Sequence, residues 1–374
     1  MIAAATRAHP AAILSRRQAH LDWLRGVAVL IMIEAHLVDS WTGVPDRNTP
    51  LFAWSMVLGG FGAPLFLLLA GLAVPLSAGS KARKGADVWT AALAVMRRGG
   101  EIFGLAFVFR VQAWILGWSS YRTLLRVDIL NIMGPAIVAT AAIWGLCSTA
   151  RARVAAFLAA TLGVSLLTPV MRAMPSLAAL PDPIEAYLRP AGMYSGFPIF
   201  PWVGFVFAGA LIGVLIDRTA AGAGASDARL NTWFGVGGAV LAGTAYAASF
   251  LPSPYPRSEF WTSSPSFFLL RLGVLTMAVG LAYAWERRRV WRAGWSWLQQ
   301  LGRTSLFIYW IHVEMVYGLI SLPIHHRLTL PQAGIALVLF SALMLACSVW
   351  KDRLVARWRA RREVLSSSRH PSLS

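Results

Sequence analysis

Apolar residues gather into long runs along this chain and do not alternate with polar ones. Runs of that kind suit helices that cross a bilayer, which need about 20 mostly apolar residues and must satisfy their own backbone hydrogen bonds. Ten segments fit that ruler: 21–41, 51–78, 99–118, 127–147, 153–171, 199–216, 233–251, 266–285, 300–321 and 333–350. The third is interrupted by Arg110, and the fifth is Ala-rich. The pattern therefore predicts an all-α, polytopic integral membrane bundle of about ten transmembrane helices. Residues 1–20 form a basic N-terminal segment, 21–350 the membrane domain, and 351–374 a basic, partly helical tail. The first 20 residues lack the apolar core and small-residue cleavage site of a signal peptide, so the first span is expected to act as an uncleaved signal anchor.

Composition agrees with that class, since 57% of the 374 residues are hydrophobic and 13% charged. Charge adds an orientation, because Lys and Arg accumulate in cytoplasmic loops. With the N-terminus inside, 24 of the 34 Lys and Arg residues fall on inner segments and seven on outer ones, while Arg25, Arg110 and Arg271 lie within spans. Both termini are then cytoplasmic. The net charge of +18 sits mostly on that face, where anionic lipid of the inner leaflet is its natural partner. The basic residues are short clusters flanking spans, not an aromatic-studded basic surface, so nucleic acid is not an expected partner. Cys147 and Cys347 fall near the inner ends of their helices, on the reducing side, where a disulfide is not expected.

Ionisable groups at membrane depth are costly and usually face a cavity or a partner. The first span, LDWLRGVAVLIMIEAHLVDSW, holds five: Asp22, Arg25, Glu34, His36 and Asp39. Asp22, Arg25, Val29, Met32, His36 and Asp39 are spaced by three and four residues in alternation, which places them on one helix face. Asp22 and Arg25 near the inner surface read equally as an interfacial ion pair. His36 lies about 21 Å further along, in the outer third. A neutral imidazole there can relay protons, with Asp39 one turn away to orient it; the plainer reading is a hydrogen bond between packed helices. Glu34 lies on a different face and is expected to answer to another helix.

Other spans add polar groups at the same level. Asp128 and Asn131 open the fourth, Arg271 lies one turn into the eighth, Arg110 past the middle of the third, and His312 and Glu314 in the outer half of the ninth. Ser305, Tyr309 and His312 share one face of that ninth helix. Each alone reads equally as a structural ion pair or hydrogen bond. Their common depth points to a shared outward-facing cavity.

Five ordered segments carry a family resemblance: LDWLRGVAVLIMIEAHLVDSW, GGFGAPLFLLLAGLAV, VDILNIMGPAI, FPIFPWVGFVFAGALIG and LGRTSLFIYWIHV, in the first, second, fourth, sixth and ninth spans. Over about residues 20–320 the chain resembles the bacterial branch of the heparan-α-glucosaminide N-acetyltransferase family. That resemblance implies a multi-pass acyltransferase of the bacterial inner membrane. In such an enzyme an acyl-CoA, typically acetyl-CoA, enters from the cytoplasm, and the acyl group passes with a histidine's help to an amino sugar or other glycan outside. In the animal member the catalytic histidine lies slightly beyond the first span. Residues 42–50 (TGVPDRNTP) contain none here, and His36 is the nearest candidate.

Acyl transfer from a thioester needs a base or a nucleophile, and donors for the oxyanion. His36 can be either of the first two, with Asp39, Glu34 and His312 as further catalytic candidates. Arg110, Asp128, Asn131, Arg271 and Tyr309 are candidates for holding the acceptor. Arg97, Arg98, Arg287, Arg288 and Arg289, with Arg292, offer charge for the CoA phosphates, although positive-inside topology alone also accounts for them. No phosphate-binding glycine loop, metal-binding His/Cys cluster or dinucleotide fingerprint occurs in the sequence, so ATP, metal and nicotinamide chemistry have no support there. A transporter or flippase is the rival class, and a homodimer is compatible with either.

Overall fold

The structure is a computed structural model that describes residues 10–117, 120–222, 226–288 and 295–367, with side chains between 19 and 362. The described residues are helical apart from connections and two isolated bridges, Thr42 with Leu328 and Val127 with Ser195. The chain divides into two compact units, Met1–Gly59 with Ala293–Ser374, and Gly60–Arg292.

The first unit contains α1 (Pro10–Trp41), α2 (Pro50–Gly59), α11 (Trp297–Arg303), α12 (Ser305–Tyr317) and α13 (Leu330–Ser367). Apolar residues on more than one side of α1 are buried, among them Leu21, Leu24, Ala28, Ile33, Leu37 and Trp41, and so are Val29 and Met32 of the polar stripe. Backbones approach closely where α1 meets α11. A Cβ on Gly26 would strike the carbonyl of Leu298, and one on Gly302 the carbonyl of Asp22. Such small-residue contacts let helices pack where lipid supplies no hydrophobic drive between them.

The second unit runs from α3 (Gly62–Arg83) through α4 (Val88–Gly117), α5 (Ile129–Leu146), α6 (Ala150–Ala173), the short α7 (Asp182–Leu188), α8 (Ile199–Ala220) and α9 (Asp227–Ala248) to α10 (Pro265–Arg287). Its tightest crossing is α3 on α8, where a Cβ at Gly209 would meet the Leu68 carbonyl. The Pro- and Gly-rich 172–198 connection is packed. Arg189 pairs with Glu185 at 2.5 Å and donates to the carbonyl oxygen of Met174 at 2.7 Å.

Seven helical stretches among the described residues are long and apolar enough to cross a membrane: Pro50–Arg83, Val88–Leu116, Ile129–Leu146, Ala150–Ala173, Ile199–Ala220, Pro265–Arg287 and Leu330–Arg362. Large apolar side chains on them stand exposed, among them Val108, Ile115, Leu166, Val338 and Leu339. Exposed apolar faces of this extent suit lipid, not water. The protein is a multi-pass membrane protein.

Two expected spans are broken. The run 51–78 divides into α2 and α3 at Gly60–Phe61, beside the Gly-Pro interruption visible in GGFGAP. The run 300–321 divides at Thr304 into helices of 7 and 13 residues, each short of the about 20 that a crossing needs. A buried polar cluster lies at the second break. Thr304 Oγ1 lies 2.7 Å from Ser348 Oγ, and the Gln300 amide donates to Ser348 Oγ at 2.9 Å and to Asp352 at 2.7 Å.

Candidate active site

His36 and His312 meet in the first unit. His36 Nδ1 lies 2.9 Å from His312 Nε2, and the two rings are within 2° of parallel. His312 is fully buried and His36 half-buried. The far nitrogen of His312, Nδ1, is 2.8 Å from the carbonyl oxygen of Ile308, one turn back on its own helix.

This arrangement assigns the protons. A carbonyl only accepts, so His312 Nδ1 carries hydrogen and, in the neutral ring, His312 Nε2 is the acceptor. His36 Nδ1 must then donate to it, which leaves the lone pair of neutral His36 on Nε2. His36 therefore has the tautomer of a base or nucleophile, held by a buried neighbour that cannot turn without losing two hydrogen bonds. Tyr317 closes one side of the His36 ring edge-on at 5.6 Å, and Tyr309 sits 6.0 Å from His312.

Asp39 does not take the place expected for it. Its carboxylate is held by Arg47 Nη2 at 2.7 Å, and Arg47 Nη1 also donates to the Asp39 carbonyl at 2.6 Å. The ring partner of His36 comes from 276 residues away and not from the next turn of α1. Glu34 is buried on another face of α1, as its spacing suggests, with Ser55 of α2 as its hydrogen-bonding neighbour.

Residues that the spacing argument missed complete this end of the unit. The segment 318–329 is zipped onto the end of α1, where His326 N donates to the Ser40 carbonyl, Leu328 N to that of Trp41, and Gly43 N to that of Leu328. It brings His325 Nδ1 to 3.0 Å from Ser40 Oγ and His326 Nδ1 to 3.1 Å from Arg47 Nη1. The imidazoles lacking in residues 42–50 are thus supplied beside them from another part of the chain. The adjacent pair His325–His326 between two apolar runs was the available signal.

In the second unit, Arg110 and Asp128 form a buried ion pair at 2.7 Å. Asp128 and Asn131 also cap α5 reciprocally, and the Asn131 amide donates to the Tyr187 hydroxyl at 3.4 Å. Burial raises the pKa of that phenol above its ordinary value, with the Asn131 hydrogen bond opposing. These contacts bring Arg110, Asp128 and Asn131 together with Tyr187. Arg271 stands apart from it, its guanidinium 4.0 Å from the Phe267 ring.

Among the arginines considered for CoA, Arg98 pairs with Glu101 at 2.8 Å on an exposed surface. Arg287 lies over the Tyr283 ring and Arg288 over that of Trp285. Arg97 is exposed, and Arg289 lies outside the described residues.

Comparison with known families places part of this chain in one of them. The family described as heparan-alpha-glucosaminide N-acetyltransferase, catalytic, matches residues 17–241. That stretch holds His36, Asp39, Arg110, Asp128 and Asn131, and ends before Arg271 and His312. No curated protein matches the chain.

Proposed function

The chain belongs to the heparan-alpha-glucosaminide N-acetyltransferase catalytic family, and from that premise we propose that it moves an acetyl group from acetyl-CoA to an amino sugar or other glycan, with His36 as the reacting imidazole. The donor is cytoplasmic acyl-CoA and the acceptor lies on the outer side. The unequal distribution of Lys and Arg supports that orientation, with about ten crossings and both ends inside, in a bacterial inner membrane whose anionic lipids face the basic loops.

The observation that carries this reading is the His36–His312 pair. His36 Nε2 takes a proton from the acceptor's amine or hydroxyl as that atom attacks the thioester carbonyl. The new C–N or C–O bond forms, the C–S bond breaks, and the proton passes to the leaving thiolate to give free CoA. His312 Nε2, accepting from His36 Nδ1, stabilises the imidazolium that forms in between. If His36 instead carries the acyl group, the same Nε2 is the attacking atom. Arg97, Arg98, Arg287 and Arg288 are exposed cations suited to the CoA phosphates.

The test is acceptor-dependent release of CoA. Purified protein with labelled acetyl-CoA and a panel of amino sugars and envelope glycans is expected to release free CoA and acetylated product in equal amounts. Movement of a solute across vesicles with no consumption of acetyl-CoA would establish a carrier instead.

A further inference from the structure

Four helices of the second unit leave a gap between them. α9 is drawn onto α10, where a Cβ on Gly238 would strike the backbone nitrogen of Met277 and one on Gly273 that of Ala242, while α8 is drawn onto α3 at Gly209. Between α8 and α9, with α6 and α10 as its other walls, lies a cleft of about 470 Å³, a size that suits a ligand. Leu158, Leu211, Leu215, Trp233, Phe234 and Leu272 are among its lining residues. Thr161 and Thr276 also line it, but their hydroxyls donate to the carbonyls of Phe157 at 2.7 Å and Leu272 at 2.8 Å, so the wall offers almost only hydrocarbon.

The length of the cleft matches one leaflet. Its α9 wall runs from Leu230 to Leu241, which is about 17 Å and roughly half of a hydrocarbon core of about 30 Å. Leu158 of α6 and Trp233 of α9 are exposed at its rim, so it is open to the surface that suits lipid. One arginine from each of three walls stands at its inner end. Arg218 follows Leu211 and Leu215 on one face of α8, Arg229 precedes Trp233 by one turn of α9, and Arg151 precedes Leu158 by two turns of α6. All three are exposed.

Packing brings these helix ends to one level. The Thr219 hydroxyl of α8 donates to Asp227 of α9 at 2.8 Å. A Cβ on Gly204 of α8 would lie 3.3 Å from Val164 of α6, and Leu158 and Thr161 share the cleft with Ala208 to Leu215, so α6 and α8 run antiparallel and Arg151 falls level with the last turn of α8. Positive-inside topology alone puts arginines near such ends. These three are distinguished by lying on the faces that line the cleft. The nearby carboxylates are engaged, Asp217 with Arg83 at 2.5 Å and Asp227 with Thr219.

We propose that this cleft holds one acyl chain of an anionic phospholipid from the inner leaflet, with the lipid phosphate on Arg151, Arg218 and Arg229. Each buried methylene and each arginine near the phosphate adds to the affinity. The proposal takes its leaflet from the distribution of Lys and Arg and needs nothing of the acyltransferase reading.

The experiment is native mass spectrometry of the full-length protein, delipidated in mild detergent and titrated with phosphatidylglycerol, phosphatidylcholine of the same chains, or glycerol 3-phosphate. One phosphatidylglycerol per chain is expected to bind about 10-fold or more tighter than phosphatidylcholine, as three arginines near its phosphate imply, and glycerol 3-phosphate should not bind. Thr276→Phe, which fills the cleft, should weaken that binding about 10-fold, as lost contact with two or more methylenes implies. Leu211→Trp fills the same cleft should Thr276→Phe fail to fold. Arg151→Gln, Arg218→Gln and Arg229→Gln combined should remove the preference for phosphatidylglycerol and leave the chain bound. Equal binding of the two phospholipids by the wild type would overturn the proposal. So would undiminished phosphatidylglycerol binding in a folded cleft-filling variant, or a preference that survives in the triple variant. Binding of glycerol 3-phosphate as tight as that of the lipid would make this a free phosphate site, and displacement of the lipid by palmitoyl-CoA at lower concentration would make it a donor site. A protein dimer that excludes lipid and is lost in Thr276→Phe would assign the cleft to a second copy. Each of these three results overturns the proposal as well.

Discussion

His312→Phe keeps the ring volume at a fully buried position and removes both nitrogens. His36 Nδ1 then loses its acceptor at 2.9 Å, while the Ile308 carbonyl keeps its backbone helix partner. Leaving a donor enclosed at such a contact unsatisfied costs up to about 1–3 kcal/mol. That penalty falls on the tautomer with the lone pair on Nε2, which is the one that reacts. At about 1.4 kcal/mol per tenfold, kcat should drop about 5- to 150-fold. The KM for acetyl-CoA should move less than about threefold, because His312 contributes positioning of the imidazole and not uniform binding of the donor. His312→Gln, whose amide oxygen can accept the same N–H, should recover part of the loss. The assay is thiol-detected CoA release at saturating acceptor, with thermal unfolding checked in parallel. A folded His312→Phe enzyme with wild-type kcat would refute the assigned proton arrangement, and recovery of folding alone in His312→Gln would reduce His312 to a packing residue.

Three further outcomes follow from the geometry. Asp128→Asn keeps the α5 cap but strands the Arg110 guanidinium, so stability should fall by about 3–5 kcal/mol and recover largely in the double variant with Arg110→Met, read as thermal midpoints in detergent. Gly209→Ala should cost about 1–3 kcal/mol because its Cβ meets the Leu68 carbonyl, whereas Gly243→Ala in α9, with open space around it, should be neutral or slightly stabilising. Burial, then His326 and Arg47, hold His325 below the ordinary imidazole value of 6.5, with Asp39 opposing. The unfolded chain therefore binds more protons than the folded one near and below that value. The contribution of His325 is present above pH 6.5 and lost as pH falls, so the thermal midpoint should drop between pH 7 and pH 5, and drop less in His325→Gln.

Each of the ten apolar segments falls largely on helix, two of them split in two, because the length and continuity of an apolar run are local properties; seven helical stretches among the described residues are long and apolar enough to cross a membrane. The break at Gly60 was visible for the same reason, in GGFGAP. The break at Thr304 was not. The apolar run gives no signal at LGRTS, and the polar contacts found there, with Ser348 and Asp352 of α13, come from far along the chain. The polar stripe of α1 singled out His36 through helical spacing, yet that spacing can propose only partners on the same helix, and so it offered Asp39. The competing Arg47 and the actual ring partner His312 are tertiary facts. Arg271 was legible as a charge at membrane depth, but its place over the Phe267 ring is visible only once the helix is formed.

The most direct measurement is single-turnover transfer from labelled acetyl-CoA by wild type and by His36→Ala, on an acceptor identified from the glycan panel and with product determined by mass. General base catalysis is worth about 10²- to 10⁴-fold. With His36 as the reacting imidazole, the wild type acetylates the acceptor and releases one CoA per product, and the folded variant, still binding acetyl-CoA, loses at least the lower figure. Transfer by His36→Ala at the wild-type rate would contradict the assignment.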